Sequence, residues 1–569
     1  MKRAGLFCLA AFAAALVLAS PGLAESSVDG DRVPALVKGM SLEEKAGQVL
    51  MGFFRGEEVS ASLRSTLGKV RPGGVILYSS TGNIINLEQV TGLVTSLQKA
   101  AWSAAALPLF VAVDQEGGRV NRLTRGVTVF PGNMALGAAA DPGLAAKAAR
   151  ITARELRTLG ITVNFAPVVD VQSNPANPVI GTRSFGSDPA LVAQLATAMV
   201  APTAGEGVLC TAKHFPGHGD TAVDSHAGLP TDSHSRAVLD KVNLAPFSAM
   251  VMEGVPAVMT AHVVMPDLDN GNPLPATLLP KAYSILRQEM GFKGLAVTDS
   301  LGMKALDRYW SIEETAIRAL QAGADLLVFG ADPGHEPAEI EQVHQALVSA
   351  VRTDRITQAR LDQAVVRVLR AKEVLGILDD PEPKPERWGE LGSPDSRAVS
   401  DAIARKALTL AWNRFDPFPP AGGEKPGTLL WPLEKADQAT VLLKSCPSLK
   451  PLFVPLSIPP EDIAGIVEGL DGKEPVYAWA GDLGRYPAWR DLARLLGERA
   501  ILLGTGSPYG LSLCPGAGAA IVTYSEVPAS LEALGSFLCS PWQPSGHLPV
   551  EIPGLYPRGW GLASTDPGF

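Results

Sequence analysis

Six groups able to move protons, bind metal or hold hydroxyls crowd into the fourteen residues from Lys213 to His226, Lys-His-Phe-Pro-Gly-His-Gly-Asp-Thr-Ala-Val-Asp-Ser-His. Pro216, Gly217 and Gly219 interrupt any helix face or strand interior, so this stretch reads as a loop. The apolar run 207–212 before it reads as a buried strand, which places the cluster at a strand's C-terminal end, where parallel α/β folds build active sites. Two chemistries suit these residue types. His214, His218 and His226 with Asp220 and Asp224 are metal-ligand types, but there is no HExxH or Cys pair, and no helical i, i+4 pair can form across Pro216 and the glycines. No metal is therefore expected. In the second reading the Asp224 carboxylate orients the ring of His226, which then serves as general acid and base. The plain alternative is a polar loop whose histidines only make hydrogen bonds.

Other strand ends carry candidates of the same kind. Leu107 to Val113 runs into Asp114-Gln115-Glu116-Gly117-Gly118-Arg119, with Arg122 beyond; this is either a ligand-binding turn or a simple Asp/Gly turn. Glu116 and Arg119 could form a structural ion pair. Asn164 to Val171 leads to Val179-Ile180-Gly181-Thr182-Arg183, whose guanidinium offers up to five donors to ligand oxygens. Asp170 reads as a supporting or capping acid, and His262 as either a pocket-lining or a core histidine. Asp299, in Val297-Thr298-Asp299-Ser300, follows an apolar strand and precedes a turn, so it is either a carboxylate facing a shared mouth or a helix N-cap.

The elements that must position these groups alternate in type from about Ser41 to Leu378. Ser41-Leu42-Glu43-Glu44 is a capping box. Apolar runs follow at 74–78, 107–114, 162–171, 207–213, 257–264, 294–299 and 324–329, after a first one within 48–54, with Ala- and Leu-rich helical patterns such as 139–159 and 313–322 between most of them. Polar residues follow many of these strands rather than one switch point. The fold class expected is α/β, a (β/α)8 TIM-like barrel followed by a second α/β domain.

Residues 1–24 read as a signal peptide: Lys2 and Arg3 precede an apolar run to Ala19, and Gly22-Leu23-Ala24 supplies small residues for cleavage. The run is too short to span a bilayer and lacks a lipoprotein cysteine at its end, so a soluble periplasmic or secreted protein is expected, without a stable membrane anchor. Removing those two positive charges takes the net charge from −9 to −11, which opposes nonspecific nucleic-acid binding. The catalytic barrel is expected over 25–380, a Pro- and acid-rich linker over 381–395 and the second domain over 396–569. In that domain a helix is expected over 396–412 and apolar runs at 428–431, 441–443, 452–456, 476–480, 500–503 and 520–523. Gly504-Thr505-Gly506-Ser507-Pro508 is too irregular for a nucleotide loop, and no cofactor is expected. The four cysteines outside residues 1–24 allow three full pairings, among which the sequence does not choose.

The string Lys213-His214-Phe215-Pro216-Gly217-His218-Gly219 followed by Asp224-Ser225-His226 resembles the signature of the β-N-acetylglucosaminidase branch of glycoside hydrolase family 3. The Asp-x-Glu-Gly-Gly-Arg-Val segment at Asp114 and the Val-Thr-Asp segment at Asp299 resemble the same family, and the two-domain layout resembles its longer members. The resemblance implies Asp299 as nucleophile, His226 as acid/base oriented by Asp224, and Asp114, Arg122, Arg183, Lys213 and His214 as sugar-binding residues. The implied activity is an exported, retaining exo-β-N-acetylglucosaminidase acting on muropeptide fragments or chitooligosaccharides. A broad-specificity β-glycosidase or a phosphorylase on the same scaffold, and an inactive carbohydrate-binding barrel, are the rival readings.

Overall fold

A computed structural model describes residues 32–415, 418, 427–470, 474–540 and 542–562, so the expected signal peptide lies outside the described residues. No helix among them is long and apolar enough to cross a membrane. The chain opens with helices Arg32–Gly39 and Leu42–Gln48. The second is capped as its sequence predicts, by reciprocal hydrogen bonds between Ser41 and Glu44.

Eight parallel strands follow: β1 Leu50–Phe53, β2 Gly74–Ile76, β3 Phe110–Val113, β4 Val163–Asn164, β5 Leu209–Phe215, β6 Ala257–Thr260, β7 Leu295–Thr298 and β8 Leu327–Phe329. They pair in the order β7-β6-β5-β4-β3-β2-β1-β8, and Thr298 N–H donates to Leu326 O across the remaining β7–β8 seam at 3.0 Å. Both faces of each strand are covered, which is why the sequence shows continuous apolar runs. Met51, Phe110, Phe165, Met259 and Val328 fill the barrel, while Leu50, Val111, Ala212, Val258 and Leu327 face the surrounding helices. The expected helix 139–159 is the helix Pro142–Thr158, which Asp141 caps and Pro142 opens, while Ala139 ends the preceding helix Asn133–Ala139.

The segment after the barrel is tied to it. Arg157 donates to the carbonyls of Asp380 and Glu382, and Arg387 pairs with Glu206 at 2.9 Å. Beyond the helix Pro394–Ala407, a second sheet contains β9 Thr409–Asn413, β10 Thr428–Pro432, β11 Lys450–Val454, β12 Val476–Trp479, β13 Ala500–Gly504 and β14 Ala519–Val522. Its order is β11-β10-β12-β13-β14-β9, parallel except for β9 against β14. Two expectations change here. Residues 409–413 end the expected helix as a strand, their Thr and Trp satisfying an antiparallel sheet edge. Residues 441–443 lie inside the helix Ala436–Ser445, a short apolar run that periodicity alone cannot assign. Cys446 and Cys539 form a disulfide, while Cys210 and Cys514 are free and buried. The two domains share apolar contacts: Met134, Ala135 and Ala138 of the barrel helix Asn133–Ala139 pack into the same cluster as Trp431 and Leu534 of the second domain.

Candidate active site

The chain's polar strand ends converge on one cavity of about 580 Å³ at the C-terminal mouth of the barrel, within the ~300–1,000 Å³ range of small-molecule sites. All eight sequence-predicted site residues except Asp224 line it, and Asp224 holds the ring of His226, which does.

One wall is a network of buried charge. Asp114, immediately after β3, accepts from Lys213 Nζ at 2.9 Å and from Arg122 at 3.2 Å. Glu116, two residues on, accepts from Lys213 Nζ at 2.7 Å and takes both arms of the Arg183 guanidinium, at 2.9 and 2.8 Å. Glu116 thus pairs with Arg183 and Lys213, not with Arg119, because the Gly117–Gly118 turn takes Arg119 away from it. Burial pushes the Glu116 carboxyl up, but Arg183 and Lys213 overwhelm it and hold the group far below the ordinary carboxylate range. Burial likewise opposes the charge on Lys213, and Asp114 and Glu116 more than restore it. The wall presents fixed cations and a carboxylate, a donor and acceptor set suited to neighbouring hydroxyls.

Lys213 and His214 are consecutive in β5, and strand alternation alone would send them to opposite faces. The β5–β6 register shifts between Lys213 and Phe215, and both side chains reach the cavity. His214 Nδ1 lies 2.7 Å from Asp170, whose carboxylate also accepts the backbone N–H of His214 and of His218. Asp170 is fully buried and fixes the turn into the loop. His218 is buried between Thr221 and Ser225, at 2.7 and 3.3 Å, and burial pushes its pKa down to about 4, so this imidazole is neutral. Among the described residues, the side chains that bring three possible metal-ligand atoms together are Asp220, Asp232 and His234, and not His214, His218 and His226. Gly219 begins the loop because any Cβ there would lie 1.7 Å from Val171 O.

On the loop, Asp224 Oδ1 accepts the His226 backbone N–H at 2.8 Å and faces its Nδ1 at 2.9 Å. Nδ1 is therefore the protonated nitrogen, and Nε2 is left for chemistry. Partial burial raises the Asp224 pKa, but the hydrogen bonds from His226 outweigh it and keep the carboxylate ionised. The side chain of His226 is 61% exposed, consistent with a group that meets ligand from the solvent side.

Asp299 follows β7 and accepts Ser300 N–H at 2.8 Å. Burial pushes it up, but His214, His262, this N–H and His226 together hold it below its ordinary value, so it is a ready anion. Its N-cap reading fails, since the next helix, Lys304–Asp307, starts five residues on with Met303 at its cap. His262 is a core residue: fully buried and absent from the cavity wall, with its ring nitrogens 2.8 Å from Thr277 Oγ1 and Ser300 O.

Tyr78, Ser300 and Asp332 are among the cavity residues that escaped the sequence reading. Tyr78, after β2, stacks beneath Arg122 with 5.5 Å from guanidinium to ring centre. Ser300 Oγ bonds Asp332, which follows β8, and Gly330 N–H donates to Ser300 Oγ at 2.7 Å. Burial and the neighbouring Asp299 charge raise the Asp332 carboxyl. The positions of Tyr78 after β2 and Asp332 after β8 were the available signal, since acids and aromatics there face the same mouth.

With this geometry in view, the comparisons are specific. The family model for the glycosyl hydrolase family 3 N-terminal domain matches residues 41–371. A β-hexosaminidase of Nitrosomonas eutropha is 35% identical over 332 residues, 57% of this chain and 92% of that protein. β-Hexosaminidase A of Pseudoalteromonas piscicida is 37% identical over 362 residues, 60% of this chain but only 59% of that longer relative. The solved structure of a glycoside hydrolase family 3 β-N-acetylglucosaminidase from Paenibacillus sp. superposes with a TM-score of 0.82 at 33% identity, covering 90% of this chain and 99% of that one. The chain belongs to glycoside hydrolase family 3, in its β-N-acetylhexosaminidase branch.

Proposed function

We propose that the protein is an exported, retaining exo-β-N-acetylglucosaminidase that removes nonreducing terminal N-acetylglucosamine from peptidoglycan fragments or chitooligosaccharides. The observation that carries this reading is the Asp224–His226 pair, with Nδ1 bound and Nε2 free, on the same cavity as the ionised Asp299. Asp299 attacks the anomeric carbon as the bond to the leaving oxygen breaks, and His226, which enters this step as an imidazolium with a second proton on Nε2, gives that proton to the leaving oxygen. In the second step Nε2 takes a proton from water, the water oxygen bonds the anomeric carbon, and the Asp299 ester bond breaks. Two displacements give net retention. Asp114, Lys213, Arg183, Arg122 and His214 hold the sugar so that its anomeric carbon meets Asp299, a positioning role supported by their mutual hydrogen bonds.

Export is supported by the pattern of residues 1–24 and by the Cys446–Cys539 disulfide, since such bonds persist in oxidising compartments. The choice of an N-acetylglucosaminide follows the β-hexosaminidase and β-N-acetylglucosaminidase relatives. An assay with aryl N-acetyl-β-glucosaminide and aryl β-glucoside, each in phosphate and in phosphate-free buffer, tests the reading. Preference for the acetamido sugar with free sugar as product supports it. Sugar 1-phosphate as product makes the protein a phosphorylase, and turnover of neither substrate leaves only the binding-module reading.

A further inference from the structure

Six residues beyond His226 the loop repeats its own motif, Asp232-Ser233-His234. The repeat has the same local geometry: Asp232 Oδ1 accepts His234 N–H at 3.0 Å and faces Nδ1 at 2.8 Å. It does not border the cavity. Its ring lies where the two ends of the catalytic loop meet, because His234 Nδ1 is also 3.0 Å from Asp220 Oδ2.

Each of the two carboxylates is anchored to a different part of the barrel. Asp220 accepts from Ser173 Oγ at 3.0 Å, and its carbonyl accepts from Asn174 Nδ2 at 3.0 Å, so this end hangs on the turn after β4. Asp232 is buried, accepts from Asn243 Nδ2 at 3.1 Å, and donates its backbone N–H to Val264 O at 2.9 Å, so the other end hangs on the turn after β6. Residues 221–231, which carry Asp224 and His226, span the gap between these anchors, and His234 is the side chain that joins them.

We propose that His234 is a positioning residue, a cationic clamp across the base of the catalytic loop that fixes where His226 Nε2 stands. The clamp deepens the acid/base reading of Asp224 and His226 and rests on it. Its charge is favoured where it sits: the hydrogen bond to Asp232 comes first, then the nearby charges of Asp232 and Asp220, against modest burial, and together they raise the imidazole above its ordinary value. Because the folded value is raised, the clamp is complete below the ordinary histidine pKa and is released as pH rises through the raised one.

The test compares wild type, His234→Gln, Asp220→Asn and His226→Ala on two substrates: a dinitrophenyl N-acetyl-β-glucosaminide, whose leaving group needs no proton, and diacetylchitobiose, whose leaving group does. A misplaced general acid costs about tenfold or more. We expect His234→Gln and Asp220→Asn to lose about that factor in kcat/KM on chitobiose while staying within about twofold of wild type on the dinitrophenyl glycoside. Amide exchange in 221–231 should be faster in both variants at pH 6, and wild type should approach them at high pH. If His226→Ala matches wild type on both substrates, the acid/base reading falls and the clamp with it. If His226→Ala shows the leaving-group selectivity but the two clamp variants match wild type, or lose both substrates equally, the clamp alone is wrong.

Discussion

Replacing Glu116 by Gln tests the charged wall of the cavity most severely. The Glu116 side chain is 2% exposed and accepts three charge-assisted bonds, two from Arg183 and one from Lys213, itself 2% exposed. Glutamine keeps the shape but loses the charge, and its NH2 meets a cationic donor in place of an acceptor. Breaking a buried pair in this way costs about 3–5 kcal/mol, because the partner charges remain buried. For a barrel of roughly 350 residues, unfolding entropy of about 2.1 cal/mol/K per residue gives ~0.7 kcal/mol/K, so Tm should fall by about 4–7 °C. The same change loosens Arg183 and Lys213, so KM for an aryl N-acetyl-β-glucosaminide should rise as well. The depressed Glu116 pKa sets the pH window. The contribution is fully present above the ordinary glutamate value and is lost only as pH falls well below it, so the Tm gap between wild type and variant should hold from pH 5 to 8. Scanning calorimetry with parallel kinetics checks this. A Tm within about 1 °C of wild type together with unchanged KM would mean that Arg183 and Lys213 are held by something other than Glu116.

Three further outcomes follow from the same structure. Asp224→Asn keeps the shape of the dyad but unsettles the ring's tautomer and removes its counter-charge, so kcat should drop by about 10²–10⁴ on a substrate with a poor leaving group, with less loss on a dinitrophenyl glycoside. Lys372 is fully buried, donating to Gln48 Oε1 and Pro108 O at 2.9 and 2.7 Å, and burial pushes its pKa down to about 7. The unfolded chain holds its proton up to higher pH, so wild-type stability relative to Lys372→Met should rise by about 1 kcal/mol per pH unit from pH 7 to 9 in denaturant titrations, and a flat difference would contradict that. Removing the Cys446–Cys539 bond by a double Ser substitution should cost the second domain about 2–4 kcal/mol and leave kcat unchanged, read from calorimetry and a rate assay.

Much of the fold was legible because its rules are local. A strand covered on both faces must be largely apolar, as 107–113 and 294–297 are, and the Ser41–Glu44 box announces its helix in four residues. The loop 213–226 was legible for another reason: proline, glycine, histidine and aspartate have no common use except in a built turn. What remained hidden depends on tertiary placement. Glu116 has Arg119 as its sequence neighbour, yet its partners come from the β4 turn and β5, which only barrel closure brings together. His262 could not be assigned because a strand-end histidine faces mouth or core according to a single step of register. Residues 409–412 read as helix until β14 supplies them with a sheet edge. The sharing of the helix Asn133–Ala139 between two cores lies beyond any local pattern.

In the proposed mechanism Asp299 forms a covalent bond to the sugar and His226 then activates water to break it. Mass spectrometry of His226→Ala during turnover of a dinitrophenyl N-acetyl-β-glucosaminide tests both halves at once. The expected outcome is a rapid burst of dinitrophenolate, accumulation of protein heavier by one N-acetylglucosaminyl group, and a peptide map placing that group on Asp299. Turnover with no adduct, or an adduct on any other residue, would contradict it.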